Sequence, residues 1–199
     1  MKIGKEIIHE LKHHIPFTLL ATLIAVVASL FLFQINISKT IFEILHPLHI
    51  VASAIVTSAL FYSYKKNFVY AVFVGVLGAI VVGSLSDVIF PYLGGLIFQF
   101  NPIFHFPLIE MPLIILGTAI LGGLIGVATG LTKFPHFVHV FLSVFASLFY
   151  ILAFSSSIGW FYFILAFIVV FISVIIPCCL SDIIFPFLFL GEKIKKCDC

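Results

Sequence analysis

The sequence contains six apolar stretches, each long enough to cross a bilayer, at about 15–34, 47–64, 68–90, 108–130, 137–155 and 158–189. A transmembrane helix needs about 20 mostly apolar residues. In hydrocarbon, a spanning segment must satisfy its backbone groups internally, and a helix does so by itself. The chain therefore reads as an all-α integral membrane protein with six transmembrane helices. Composition agrees, at 63% hydrophobic and 9% charged over 199 residues with a mean hydropathy of +1.32. A soluble domain is about 45–50% apolar and about 25% charged. This excludes a soluble enzyme, a nucleic-acid binder and a disordered tail. A net charge of +2 argues against a polyanionic partner. The expected surroundings are the lipid bilayer.

Stretches three and six run on too long for one straight helix. The third reaches Phe100 through Pro91, Gly94 and Gly95, and the sixth holds Pro177 and Pro186. Both are expected to be broken or bent, at Pro91 and Pro186, with residues 88–100 turning back as a re-entrant piece. All ten basic residues are Lys, and nine of them fall on the side of the termini when both termini are inside; Lys39 alone lies outside. The bias predicts a multi-pass protein of the cell membrane with both termini cytoplasmic.

The sequence also repeats itself. Leu85-Ser86-Asp87-Val88-Ile89-Phe90-Pro91 recurs as Leu180-Ser181-Asp182-Ile183-Ile184-Phe185-Pro186, with six of seven residues identical. His46 and His49 match His136 and His139, and Ser53 and Thr57 match Ser143 and Ser147 on the same helical period. A weaker match sets His9, His14 and Pro16 against His105, Glu110 and Pro112. The offsets of 90, 95 and 96 residues preserve the order of the pairs. Duplication of a three-helix unit accounts for this, with repeats at 1–100 and 101–199 forming one membrane domain. Three spans per unit force the second copy to insert upside down, the inverted-topology pattern of many secondary transporters.

Ionisable residues inside spans are costly and are functional candidates by default. On this topology His46, His49, Asp87, His105 and Glu110 converge on the outer half. His14, His136, His139 and Asp182 converge on the inner half, with His9 and His13 as weaker members. Every histidine belongs to one of the two sets. Two His at i and i+3 share a helix face, and a carboxylate from a neighbouring helix completes a three-ligand set. Such sets suit Zn, Mn or Fe better than Ca or Mg. The competing role for the His and Asp residues is structural hydrogen bonding, at helix breaks in the case of the aspartates. Ser53, Thr57, Ser143 and Ser147 read as small residues that let helices pack closely, as do Gly122 and Gly126. The small-residue stripe on the fourth span also offers a homodimer contact. Cys178 and Cys179 read as apolar packing, and Cys197 and Cys199 as reduced cytoplasmic thiols.

The leading expectation is a transporter of a divalent transition metal, Zn, Mn or Fe, with two pseudo-symmetric His/carboxylate sites and exchange of protons for metal. An intramembrane metalloenzyme is the alternative. The paired HxxH boxes are loosely similar to the His boxes of membrane desaturases and hydroxylases. They depart from that pattern by falling on opposite sides of the bilayer, where one dinuclear site cannot collect both. A bis-His haem protein for electron transfer ranks third.

Overall fold

The computed structural model describes residues 15–16, 18–28, 38–156, 164–177 and 189. These residues form helices and no strand; two segments meet through a single antiparallel bridge, Pro102 to Ser155. The helices are α1 (Thr18–Ala28), α2 (Ser38–Tyr64), α3 (Phe68–Ile97), α4 (Pro107–Glu110), α5 (Pro112–Thr129), α6 (Lys133–Phe154) and α7 (Ile164–Pro177). Four of them, α2, α3, α5 and α6, are long and apolar enough to cross a membrane. The stretches expected as spans one and six contribute the shorter apolar helices α1 and α7 to the described residues.

Helix α2 is the hub of the bundle. It packs most extensively against α6, then against α5 and α3. Its contact with α5 depends on glycine. A Cβ at Gly122 would collide with the Val51 carbonyl and reach 2.9 Å from Ala54 Cβ, and one at Gly126 would collide with the Ile55 carbonyl and Ser58 Oγ. Gly122 and Gly126 of the fourth-span stripe thus serve a contact inside the chain, where small residues let two backbones touch. On the far side of α2, α6 joins α1 and α7 in one apolar cluster that includes Ala21, Ala25, Val144, Leu148, Val169 and Val170.

Two boundaries differ from the sequence reading. Helix α2 starts at Ser38, well before residue 47, and carries Pro47 in its interior. The extra turns form because Phe42 is fully buried there and Lys39 pairs with Glu43 one turn on, at 3.6 Å. Helix α3 does not break at Pro91 and does not turn back. It runs unbroken to Ile97 and adjusts to the proline with a π-helical turn over Leu85–Ile89, in which the Phe90 N–H reaches the Leu85 carbonyl. A π-turn widens the helix by one residue and occurs mostly as a single insertion of this kind. The counterpart at Pro186 lies outside the described residues.

Helix α3 ends at Phe98 in a Schellman turn. The Phe100 N–H reaches the Gly95 carbonyl at 2.8 Å and the Gln99 N–H reaches Leu96 at 3.2 Å. Gln99 occupies the left-handed position, φ 59°, at a cost of about 1–2 kcal/mol for a residue with a Cβ. The turn directs residues 98–106 back over the end of the bundle. There the Ile103 N–H binds the Phe154 carbonyl at 2.7 Å and the Ser156 N–H binds Phe100 at 3.2 Å.

The glycine contact makes a direct prediction. Gly126→Ala should lower stability by about 1–3 kcal/mol, because backbone rather than a flexible side chain stands in the way. Gly117→Ala, whose Cβ would meet open space, should be neutral or mildly stabilising. Thermal unfolding of the two variants in one detergent separates these outcomes.

Candidate functional site

Asp87 sits in the π-turn of α3, fully buried. Pro91 has no N–H to return to the preceding turn, and the Ser86 carbonyl accepts instead from the Ser147 hydroxyl of α6 at 2.9 Å. The local expansion brings the Asp87 carboxylate between α2 and α6. One oxygen, Oδ2, accepts from His46 Nδ1 at 2.8 Å and from His49 Nδ1 at 2.7 Å. The other, Oδ1, accepts from the Ser86 hydroxyl at 2.7 Å and from the Ser143 hydroxyl of α6 at 2.8 Å. Ser147 also reaches the Ser143 carbonyl, at 2.7 Å. A carboxylate only accepts, so each histidine must carry its proton on Nδ1 to make these bonds.

The helical period accounts for the convergence. His46 and His49 are one turn apart and project from one face of α2. Gly83, one turn before Asp87 on α3, leaves space that a Cβ would take from the Ile50 side chain, with His46 Cε1 at 3.7 Å. The His46 ring stacks on Phe42, centroids 5.5 Å apart, and the His49 ring stacks on His139 at 5.7 Å and 7°. The cluster is therefore a buried His–Asp–His unit joining three helices, with a third histidine ring against its edge.

His105 and Glu110 form a separate pair. His105 Nδ1 lies 2.8 Å from Glu110 Oε2, and Glu110 Oε1 accepts the Phe106 N–H at 3.1 Å. The His105 N–H donates to the Tyr150 hydroxyl at 3.2 Å, and its ring stacks on Phe154 at 4.3 Å. Phe42 contacts both His46 and His105 and stands between the two groups. Burial holds the His105 pKa below its ordinary value although the Glu110 carboxylate pulls it up.

The structure thus redraws the site expected from the sequence. His46, His49 and Asp87 come together. His105 and Glu110, expected in the same set, do not join them, because the Phe42 ring intervenes. His139, expected in the opposite set, lies against His49. The side chain of His136 lies outside the described residues, as do His9, His13, His14, Asp182, Pro186 and all four cysteines. Among the described residues no group of three or more His, Cys, Asp or Glu is disposed to hold a metal ion. The two imidazoles present Nδ1 to the carboxylate instead of opening around a shared point. Ser143 and Ser147, read as packing residues, are hydrogen-bond donors of the cluster. Their signal was their one-turn spacing on the face that carries His139. The matching Ser53 hydroxyl is buried and has no hydrogen-bond partner among the described residues.

Comparison with known proteins returns no match: no family model, curated protein or solved structure resembles the chain at a significant level.

Two outcomes follow from this geometry. Asp87→Ala leaves two imidazole N–H groups and two hydroxyls buried without their acceptor and should cost about 3–5 kcal/mol. Ser143→Ala removes one donor to a charged acceptor and should cost about 1.5–3 kcal/mol. Unfolding in detergent against denaturant gives both values. The pH response of His105 has a definite sign. Its folded pKa is below its unfolded value of about 6.5, so its contribution is complete above that value and is lost as pH falls through it. The wild-type melting temperature should therefore fall between pH 7.5 and 5.5 by more than that of His105→Gln.

Proposed function

We propose that the chain is a cation transporter of the cell membrane in which the Asp87–His46–His49 cluster is an ion-binding centre. Its cargo is a divalent transition metal (Zn, Mn or Fe), exchanged for protons. The observation that carries the reading is a buried carboxylate shared by two imidazoles between spanning helices. With both histidines neutral the cluster bears one negative charge in a low-dielectric interior, a state that a bound cation relieves. One proton neutralises it. A dication would take the place of that proton: neutral imidazoles ligate through Nε2, or through Nδ1 once its proton has shifted to Nε2, so the proton that neutralises the carboxylate competes with the metal.

The proposed architecture has six spans in two inverted three-helix units, with both termini cytoplasmic. The repeated Ser-Asp…Pro and HxxH motifs support it, and so does the packing. Helix α2 contacts α3 of its own unit and α5 of the other, and its counterpart α6 shares a cluster with α7 and α1. In this register Asp182 is the mate of Asp87 and Ser53 that of Ser143. The stacking of His49 on His139 supports half-sites that adjoin over half-sites near opposite surfaces.

That same stacking favours one further reading. An intramembrane metalloenzyme was disfavoured because its two HxxH boxes had to lie far apart, and His49 and His139 bring the boxes together. Flux separates the two readings. Reconstituted into liposomes, the transporter moves zinc, manganese or iron down a gradient with a counterflow of protons. Asp87→Asn and Asp182→Asn should each lower the flux about 10- to 100-fold. Because the half-sites adjoin, His49→Ala and His139→Ala should each reduce metal bound by both. Metal bound without flux would favour the enzyme, and neither binding nor flux would overturn both readings.

A further inference from the structure

We infer that the Phe42 ring is the gate between the Asp87 cluster and the end of the bundle that carries residues 98–111. This inference rests on the reading that the cluster takes up a cation, and its test below does not depend on transport.

Polar groups lie on both sides of this one ring. On one side is His46, bound to the fully buried Asp87. On the other is His105, bound to Glu110, whose side chain is 47% exposed. Phe42 is one helical turn before His46 on α2, is fully buried, and stacks flat on the His46 imidazole. Three further rings meet it edge-on: His105 at 5.8 Å, Tyr150 at 5.3 Å and Phe154 at 5.6 Å. An aromatic layer of this kind bars water and ions by refusing to wet.

The surrounding wall is fixed. Residues 100–103 are bonded through the backbone to Phe154 and Ser156 at the end of α6. The Tyr150 hydroxyl accepts the His105 N–H. Phe42 has no such tether: its ring is held by packing alone, among these rings and in a cluster with Val88 and Ala146, so that rotation about its side-chain bonds moves it when those neighbours give way. A cation or proton arriving past Glu110 and His105 therefore meets His46 when Phe42 swings aside. The gate therefore lies on the same helix as the histidines it guards.

The test is the reactivity of His46 toward diethyl pyrocarbonate in the full chain in detergent, mapped by mass spectrometry of the modified peptides. In the wild type His46 should react far more slowly than in the chain unfolded in dodecyl sulfate. Phe42→Ala should raise its rate roughly tenfold or more, as expected when local opening becomes easier by about 1.4 kcal/mol. Phe154→Ala removes a ring of the same layer that is not stacked on His46, and should leave His46 protected. If Phe42→Ala does not fold, Phe42→Leu is read by the same criteria. Continued protection of His46 in a folded Phe42 variant would overturn the inference. Equal exposure in Phe154→Ala would also overturn it, since loosening of the whole aromatic cluster would then be the cause. Intact metal flux alongside either result would remove the gate and leave the transporter, whereas opened access without flux in the wild type would do the reverse.

Discussion

A carboxylate withdrawn from water into a helix bundle is tolerable only when its lone pairs are occupied. Asp87 meets that condition with hydrogen bonds from His46, His49, Ser86 and Ser143. The donors come from α2, from α3 itself and from α6, so the requirement of one side chain fixes how three long helices meet. Lipid supplies no hydrophobic force between helices that would do this instead. The apolar clusters around the site then fill the space that the polar contacts define.

Much of this is legible in the sequence because the residues involved are rare in their setting. Asp87 is conspicuous in an apolar run, and His46 and His49 share a helical face by their spacing. Their convergence on one carboxylate follows from those two facts together with the packing of neighbouring helices. The Ser-Asp…Pro motif also acquires a physical meaning. Pro91 withholds a backbone donor, the helix expands into a π-turn, and the Ser86 carbonyl turns to Ser147. What reads as a break is an expansion, because a neighbouring hydroxyl satisfies the freed carbonyl and the helix has no need to stop.

The rest was hidden for equally physical reasons. Whether His105 and Glu110 join Asp87 depends on where the Phe42 ring lies, and in a chain with 25 phenylalanines no pattern distinguishes that one. The contact of His49 with His139 depends on the depth at which α2 and α6 cross. Span counting assigns each histidine to an end of the membrane but does not give that depth. The glycines of α5 announce a close helix contact without naming the partner, and the partner is α2. Function follows the same division: a buried carboxylate beside two imidazoles is plain from the residues, whereas the proposed cargo depends on how the imidazoles would reorganise around it.

The central claim is that Asp87 binds both histidines through Nδ1. Nitrogen-15 solid-state NMR of histidine-labelled protein in lipid bilayers tests it most directly, with His46 and His49 assigned by single substitution. The account predicts a protonated Nδ1 on both rings in the wild type, with that signature lost from both in Asp87→Asn. Histidines 46 and 49 that carry their proton on Nε2 alone, or that are unchanged when the carboxylate is removed, would contradict it.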